Sequence, residues 1–180
     1  MAKRKQKRVN KQSREELYQS CPRANFIIRM GAYIIDLIAV SVLLMLATVF
    51  AVLIVMIGNK AGIINISAYK DITDYLAHNL VFAGYLAIVT IAFYGYFWSK
   101  SGQTIGMKIC RLRVQNSDGS NISFTQSLIR MATSAFGLGN LFAITPSHNA
   151  FQDLWAECEV IVLTKELNSW EKVCDKKDQK

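Results

Sequence analysis

Residues 30–57 form an apolar run of 28 residues that carries one charged side chain, Asp36. A helix rises about 1.5 Å per residue, so this run predicts a helix of about 42 Å, longer than the hydrocarbon core of a bilayer, about 30 Å. We therefore expect a membrane-spanning helix that either tilts or keeps its first two turns, with Asp36, near the headgroups. The run is too long for the apolar part of a cleaved signal peptide, so the segment should stay in place.

A second apolar run, residues 80–98, is 19 residues long and predicts a second span. It follows a polar connection, residues 58–79, that has only two cationic side chains. Its end is aromatic, as is common where a helix leaves the hydrocarbon and meets the headgroups. Its small residues lie close to one helical stripe and predict close packing against the first span. The aromatic residues are Tyr94, Tyr96, Phe97 and Trp98, and the small ones are Gly84, Ala87 and Gly95.

The basic side chains lie mostly outside these two runs. The chain has 21 Lys and Arg against 13 Asp and Glu, and nine of the basic residues fall within the first 29 positions. Cationic segments flanking a span face the cytoplasm, which predicts a multi-pass membrane protein with a cytoplasmic N-terminus. The expected partners are the bilayer and its anionic headgroups. A nucleic-acid partner is not expected, because a basic run directly before a span is the ordinary device for orientation.

The remaining sequence divides into tails and a further membrane segment. We expect a disordered basic cytoplasmic tail at residues 1–24, a membrane domain at 25–164 and a polar C-terminal tail at 165–180. Residues 108–124 alternate in polarity around an Asp-Gly pair, which predicts a cytoplasmic β-hairpin-like insert. Residues 127–145 predict a third membrane-embedded segment, either spanning or re-entrant. The expected fold is therefore an all-α membrane protein with two transmembrane helices, this third segment and the insert.

The side of the membrane on which the C-terminus lies stays open at this point. A third span would place Asp153 and the C-terminal tail outside the cytoplasm. The β-branched run at residues 160–162 could instead pair with residues 111–114, which would place both on the inside.

Several classes of function have no support in the sequence. The four cysteines include no CxxC pair and the two histidines are isolated, so we expect no disulfide framework, metal site or cofactor. No hydrolase or metalloprotease motif occurs, and an enzyme is not expected. Gly102 and Gly106 lack the spacing of a phosphate-binding loop and predict a tight turn or close packing.

Three stretches together resemble the RDD family of bacterial membrane proteins. They are Arg29 with Asp36 seven residues later, then GQTIGMKICRLRVQNSDGSNISFTQSLIR at residues 102–130, and AFQDLWAECEVIVL with Asp153. The family is named for one arginine and two aspartates, which by position are Arg29, Asp36 and Asp153. The resemblance covers about residues 22–163. It implies a membrane fold, and transport of ions or small solutes is the proposal usually attached to the family. Where the family usually has a His-Asp pair, this chain has Gln152-Asp153.

The spacing of the first two charged residues has a chemical consequence of its own. Arg29, Tyr33 and Asp36 lie on one face of a helix, so they predict one charge cluster with Asp153, in which Tyr33 is a neighbour. One hypothesis is that these charges lock the cytoplasmic ends of the helices together. The other is that the carboxylates bind a cation or proton in transport. We favour transport of ions or small solutes, which would require a homo-oligomer because two or three spans enclose too little volume. The alternative is a non-transporting accessory or scaffold protein, which needs no pathway.

Overall fold

The computed structural model describes residues 15–134, 150–165 and 167–168. These form two compact units, one from residues 37–93 and the other from the parts of the chain on either side of it. Helix α1 begins in the second of these units and continues into the first.

Two helices of the described chain are long and apolar enough to cross a membrane. Helix α1 is Phe26–Lys60, with 35 residues, and α3 is Leu80–Ser101, with 22 residues. Many of their large apolar side chains are exposed, for example Ile57 at 67% and Leu80 at 86%. In a soluble protein such side chains would be buried, so their exposure is that of a surface in contact with lipid. Both predicted helices are thus confirmed, with longer ends than expected.

The unit of residues 37–93 contains the remaining part of α1, a polar connection and most of α3. A short helix, α2, Ile72–Ala77, lies within the connection, and Asp71 caps it by accepting a hydrogen bond from the Asp74 N–H at 2.7 Å. The Tyr85 hydroxyl donates to the backbone carbonyl of Ala47 at 3.4 Å, which ties α3 to α1.

The other unit contains a small antiparallel sheet. Strand β1, Leu112–Gln115, pairs with β2, Glu159–Val162, in a register that places Val114 opposite Val160. The segment before α1 joins the free edge of β2, since the Ala24 N–H donates to the Val160 carbonyl at 2.8 Å. The sheet therefore fixes the start of α1 to the C-terminal part of the chain.

The prediction of a β-hairpin-like insert at residues 108–124 is wrong in its second strand. The turn itself is present, with Gly119 at a φ of +80°, and the Gly119 N–H donates to Asn116. No strand follows it, because Ser123 caps a helix instead. Its hydroxyl accepts from the Gln126 N–H, and the Gln126 side chain accepts from the Ser123 N–H. This reciprocal capping box stabilises the start of a helix. Strand β1 therefore pairs with β2, where Gln115 lies opposite Glu159, 44 positions further along the chain.

Three short helices surround the sheet. They are α4, Ile105–Ile109, α5, Phe124–Thr133, and α6, Phe151–Trp155. The described part of the expected third membrane segment is residues 127–134, of which residues 127–133 belong to α5. Residues 135–145 lie outside the described residues. Because β1 and β2 share one sheet, both strands lie on the same side of the membrane.

The expected tail at residues 1–24 includes ordered structure. Residues 15–19 are helical, and Tyr18 is buried with Ile161 and Leu163. Ala24 is fully buried in the main core beside Leu112, Val114 and Val160. Residues 15–24 thus belong to the folded part, and residues 1–14 lie outside the described residues.

Candidate functional site

A carboxylate bonded to two arginines lies at the centre of the unit that contains the sheet. Asp153 on α6 receives Nη1 of Arg29 on one oxygen and Nη1 of Arg130 on the other. The side chains of all three are nearly excluded from solvent, with Asp153 only 1% exposed. We call these three residues the arginine bridge. It connects α1, α5 and α6, which are distant in sequence.

The surroundings of the arginine bridge also position its members. Arg29 Nε donates to the carbonyl of Ala24 at 2.9 Å, which couples the bridge to the edge of β2. The guanidinium of Arg130 lies 5.1 Å from the centre of the Trp98 ring, within the range of a cation–π interaction. Two cations and one anion are thus buried together, and the aromatic face contributes to stabilising the excess positive charge.

Cys158, at the approach to β2, accepts a hydrogen bond from Nη1 of Arg130 at 3.2 Å. Burial raises the pKa of the Cys158 thiol, although the positive charge of Arg130 acts in the opposite direction. Burial by itself lowers the pKa of Arg130, but attraction to Asp153 and Cys158 outweighs this effect and raises the pKa above its ordinary value. Arg130 is therefore a permanent cation, and Cys158 is a neutral thiol at physiological pH.

Asp36 is held by a different set of groups. Its carboxylate accepts a hydrogen bond from the Thr104 hydroxyl at 2.5 Å and one from the Gly106 N–H at 2.8 Å. Thr104 is also the N-cap of α4, since its hydroxyl accepts from the Met107 N–H at 3.3 Å. A Cβ at Gly106 would overlap the carbonyl oxygen of Ala32, so α4 contacts α1 through bare backbone. These contacts fix α4 along the early turns of α1.

The structure brings Arg29 and Asp153 together and places Asp36 elsewhere. Among the described residues, the carboxylate of Asp36 forms no ion pair with Arg29. Arg29 and Asp36 share a helix face, as the spacing predicts, but Arg29 bonds to Asp153 and Asp36 bonds to Thr104. Tyr33 lies between them on α1, half-buried, and neither carboxylate accepts a hydrogen bond from it.

Two partners at these sites, Arg130 and Thr104, were not singled out from the sequence, and Gly106 was singled out only for a tight turn or close packing. A signal for each was present. Arg130 is a lone charge in an otherwise apolar stretch and ends the Ser-Phe-x-Gln-x-Leu-x-Arg motif. Thr104 lies between Gly102 and Gly106, for which a tight turn or close packing was predicted. That prediction is confirmed, since Gly102 has a φ of +70° and Gly106 has no room for a side chain.

The described chain is mostly helical, with two helices long and apolar enough to cross a membrane. A sequence model of the RDD family matches residues 23–157, and the chain belongs to this family of membrane proteins. Comparison with curated proteins and with solved structures finds no match. The matched residues include Arg29, Asp36 and Asp153, so the sites described above lie within the family's own region.

Proposed function

We propose that this chain is a non-transporting accessory protein of the bacterial inner membrane, in which buried charges hold the sheet and short helices against the first span. The observation that carries the proposal is the pairing of Asp153, whose two oxygens are each bonded to an arginine of the same chain. Both oxygens of this carboxylate are already bonded to arginine nitrogens, so little of it is left to bind a passing ion. The arginine bridge therefore serves the fold.

The proposal includes an orientation and a set of partners. The N-terminus is cytoplasmic and the chain crosses the membrane more than once, because basic residues flank the apolar runs on the side of the sheet. Anionic headgroups attract the basic N-terminal residues. The protein partner is a second copy of this chain or another membrane protein. Neither nucleic-acid binding nor an enzymatic step belongs to the proposal.

Cation- or proton-coupled transport is a second candidate, favoured by Asp36. This carboxylate is only 4% exposed, and its hydrogen-bond donors in the described chain are the neutral groups of Thr104 and Gly106. Ionisable residues held inside a membrane helix without a cationic partner are typical of proton and ion pathways. Two spans enclose too little volume for a pathway, so this candidate also requires an oligomer, with the small residues of α3 as its interface.

The experiment that separates the two candidates uses the purified full chain in sealed liposomes. A Na⁺, K⁺ or pH gradient is imposed, and its dissipation is followed with a dye inside the vesicles. The accessory role predicts no dissipation beyond that of empty liposomes, and crosslinking in the native membrane to a second copy or to another membrane protein.

A gradient that collapses would overturn the accessory role if the collapse depends on Asp36. The test variant is Asp36→Asn, and the matched control is Glu157→Gln, which makes the same change at an exposed position. Flux that persists in the control and is lost in a folded Asp36→Asn protein would establish transport.

A further inference from the structure

Helices α5 and α6 bury polar side chains and expose apolar ones, the reverse of helices on the surface of a soluble protein. Such helices bury their apolar side chains and expose their polar ones. Here α5 buries Ser127 and Arg130, and α6 buries Gln152 and Asp153. The two helices pack against each other, and their large apolar side chains are exposed. We call the exposed set the outer apolar surface, and it consists of Phe124, Leu128, Ile129, Phe151, Leu154 and Trp155.

The outer apolar surface is strongly exposed for side chains of this size. Leu154 is 59% exposed and Trp155 is 62% exposed, and both lie on a helix of only five residues. Water would be a poor solvent for such a surface, and exposed apolar patches of this kind mark contacts with protein or membrane. Behind it, Arg130 of α5 and Asp153 of α6 belong to the arginine bridge, so turning either helix over would break that bridge.

Contact with a spanning helix fixes the depth of the surface. A Cβ at Gly95 of α3 would overlap the ring of Phe124, so the start of α5 lies directly against α3. Gly95 precedes the end of α3 at Ser101 by six residues, or about 9 Å. Because α3 is about 33 Å long and the hydrocarbon core is about 30 Å thick, a centred α3 places Gly95, and Phe124 against it, about 7.5 Å inside the hydrocarbon boundary.

We propose that the outer apolar surface is embedded in the lipid interface, with α5 and α6 lying in the plane of the membrane beside the end of α3. Its occupant is the boundary between headgroups and acyl chains, because Phe124 lies against Gly95 of α3, a helix long and apolar enough to cross a membrane. Interfacial helices bury their apolar face about 5–10 Å into this layer. Tryptophan is enriched in the same layer, which agrees with the exposed side chain of Trp155. The sheet then lies above the membrane, anchored through the arginine bridge.

Spin labels at two positions test this proposal on the full chain. A nitroxide is attached at Leu154→Cys on the surface, or at Ser117→Cys in the exposed turn after β1 as the control, with the native cysteines replaced by alanine. Each protein is reconstituted in vesicles of phosphatidylethanolamine and phosphatidylglycerol. The accessibility of the label to oxygen, which concentrates in lipid, is compared with its accessibility to a water-soluble nickel complex.

The expected result is a higher ratio of oxygen to nickel accessibility at residue 154 than at residue 117. Equal ratios at the two positions would overturn the proposal, and so would a label at 154 shielded from both reagents, which would indicate cover by a second copy. If the alanine background does not fold, photoreactive benzoylphenylalanine is placed at the same positions in the native background. Lipid adducts at 154 and none at 117 would support the proposal, whereas lipid-free crosslinked dimers at 154 would contradict it.

Discussion

Arg29 and Asp153 lie 124 positions apart in the chain and form a buried ion pair, in which Arg130 occupies the second oxygen of the carboxylate. The pair joins the first turn of a spanning helix to a short helix just before the last strand. In water an ion pair contributes little, but removal of one partner from a buried pair leaves an uncompensated charge and is costly. The arginine bridge is therefore a point at which single changes should have large effects.

Neutralising Asp153 should destabilise the fold strongly. Asp153→Asn leaves two buried arginines with no anion between them, and the expected loss is about 3–5 kcal/mol in the free energy of unfolding. Denaturant titration of the purified protein in detergent micelles measures this loss. Glu157→Gln, the same chemical change at an exposed position, should alter stability by no more than about 0.5 kcal/mol. Similar losses of unfolding free energy in the two variants would show that the charge of Asp153 does not stabilise the fold.

A methyl group at Gly106 should separate α4 from α1. In Gly106→Ala the new Cβ would overlap the carbonyl of Ala32 and approach the Asp36 carboxyl carbon to about 3.0 Å. Overpacking of this kind costs about 1–3 kcal/mol, which the same titration detects. Gly84→Ala in α3 is the matched control, since a Cβ there meets no atom within 4 Å. Equal tolerance of both changes would contradict the close contact.

Cys158 should react slowly with maleimide, because burial raises the pKa of its thiol and so lowers the thiolate fraction at neutral pH. In a variant that keeps Cys158 as its single cysteine, the labelling rate should still rise with pH above the ordinary thiol pKa of about 8.5. Glutathione under the same conditions is the reference. A labelling rate that matches that of glutathione at pH 7.5, or that levels off below pH 8, would contradict this prediction. It would show that the positive charge of Arg130 lowers the pKa of the thiol by more than burial raises it.

The two spans and the Asp-Gly turn could be predicted from the sequence because each depends on local signals. Length and hydropathy determine a span, and Gly119 supplies the positive φ that the turn needs. The partner of β1 could not be predicted in this way. The capping box of Ser123 and Gln126 competes with strand formation after the turn, and that competition is decided by packing of α5 against α6.

The candidate site was predicted only in part, for a similar reason. Helical spacing places Arg29 and Asp36 on one face of α1, which suggests that they pair. Spacing gives no information on competing partners from other elements, and here Asp153 and Thr104 provide them. Arg130 was visible only as a charge in an apolar stretch, and its role depends on the fold of residues far from it.

Two double-mutant cycles test most directly the claim that Arg29 pairs with Asp153 and not with Asp36. The variants are Arg29→Gln, Asp153→Asn and Asp36→Asn with the two double combinations, and the free energy of unfolding is measured for each. The account predicts a coupling energy of about 0.5–3 kcal/mol between Arg29 and Asp153, as for residues in one ion-pair network. Arg29 and Asp36 are separated by about 10.5 Å along α1 and should be additive within about 0.5 kcal/mol. Additive effects of Arg29 and Asp153, together with coupling between Arg29 and Asp36, would contradict it.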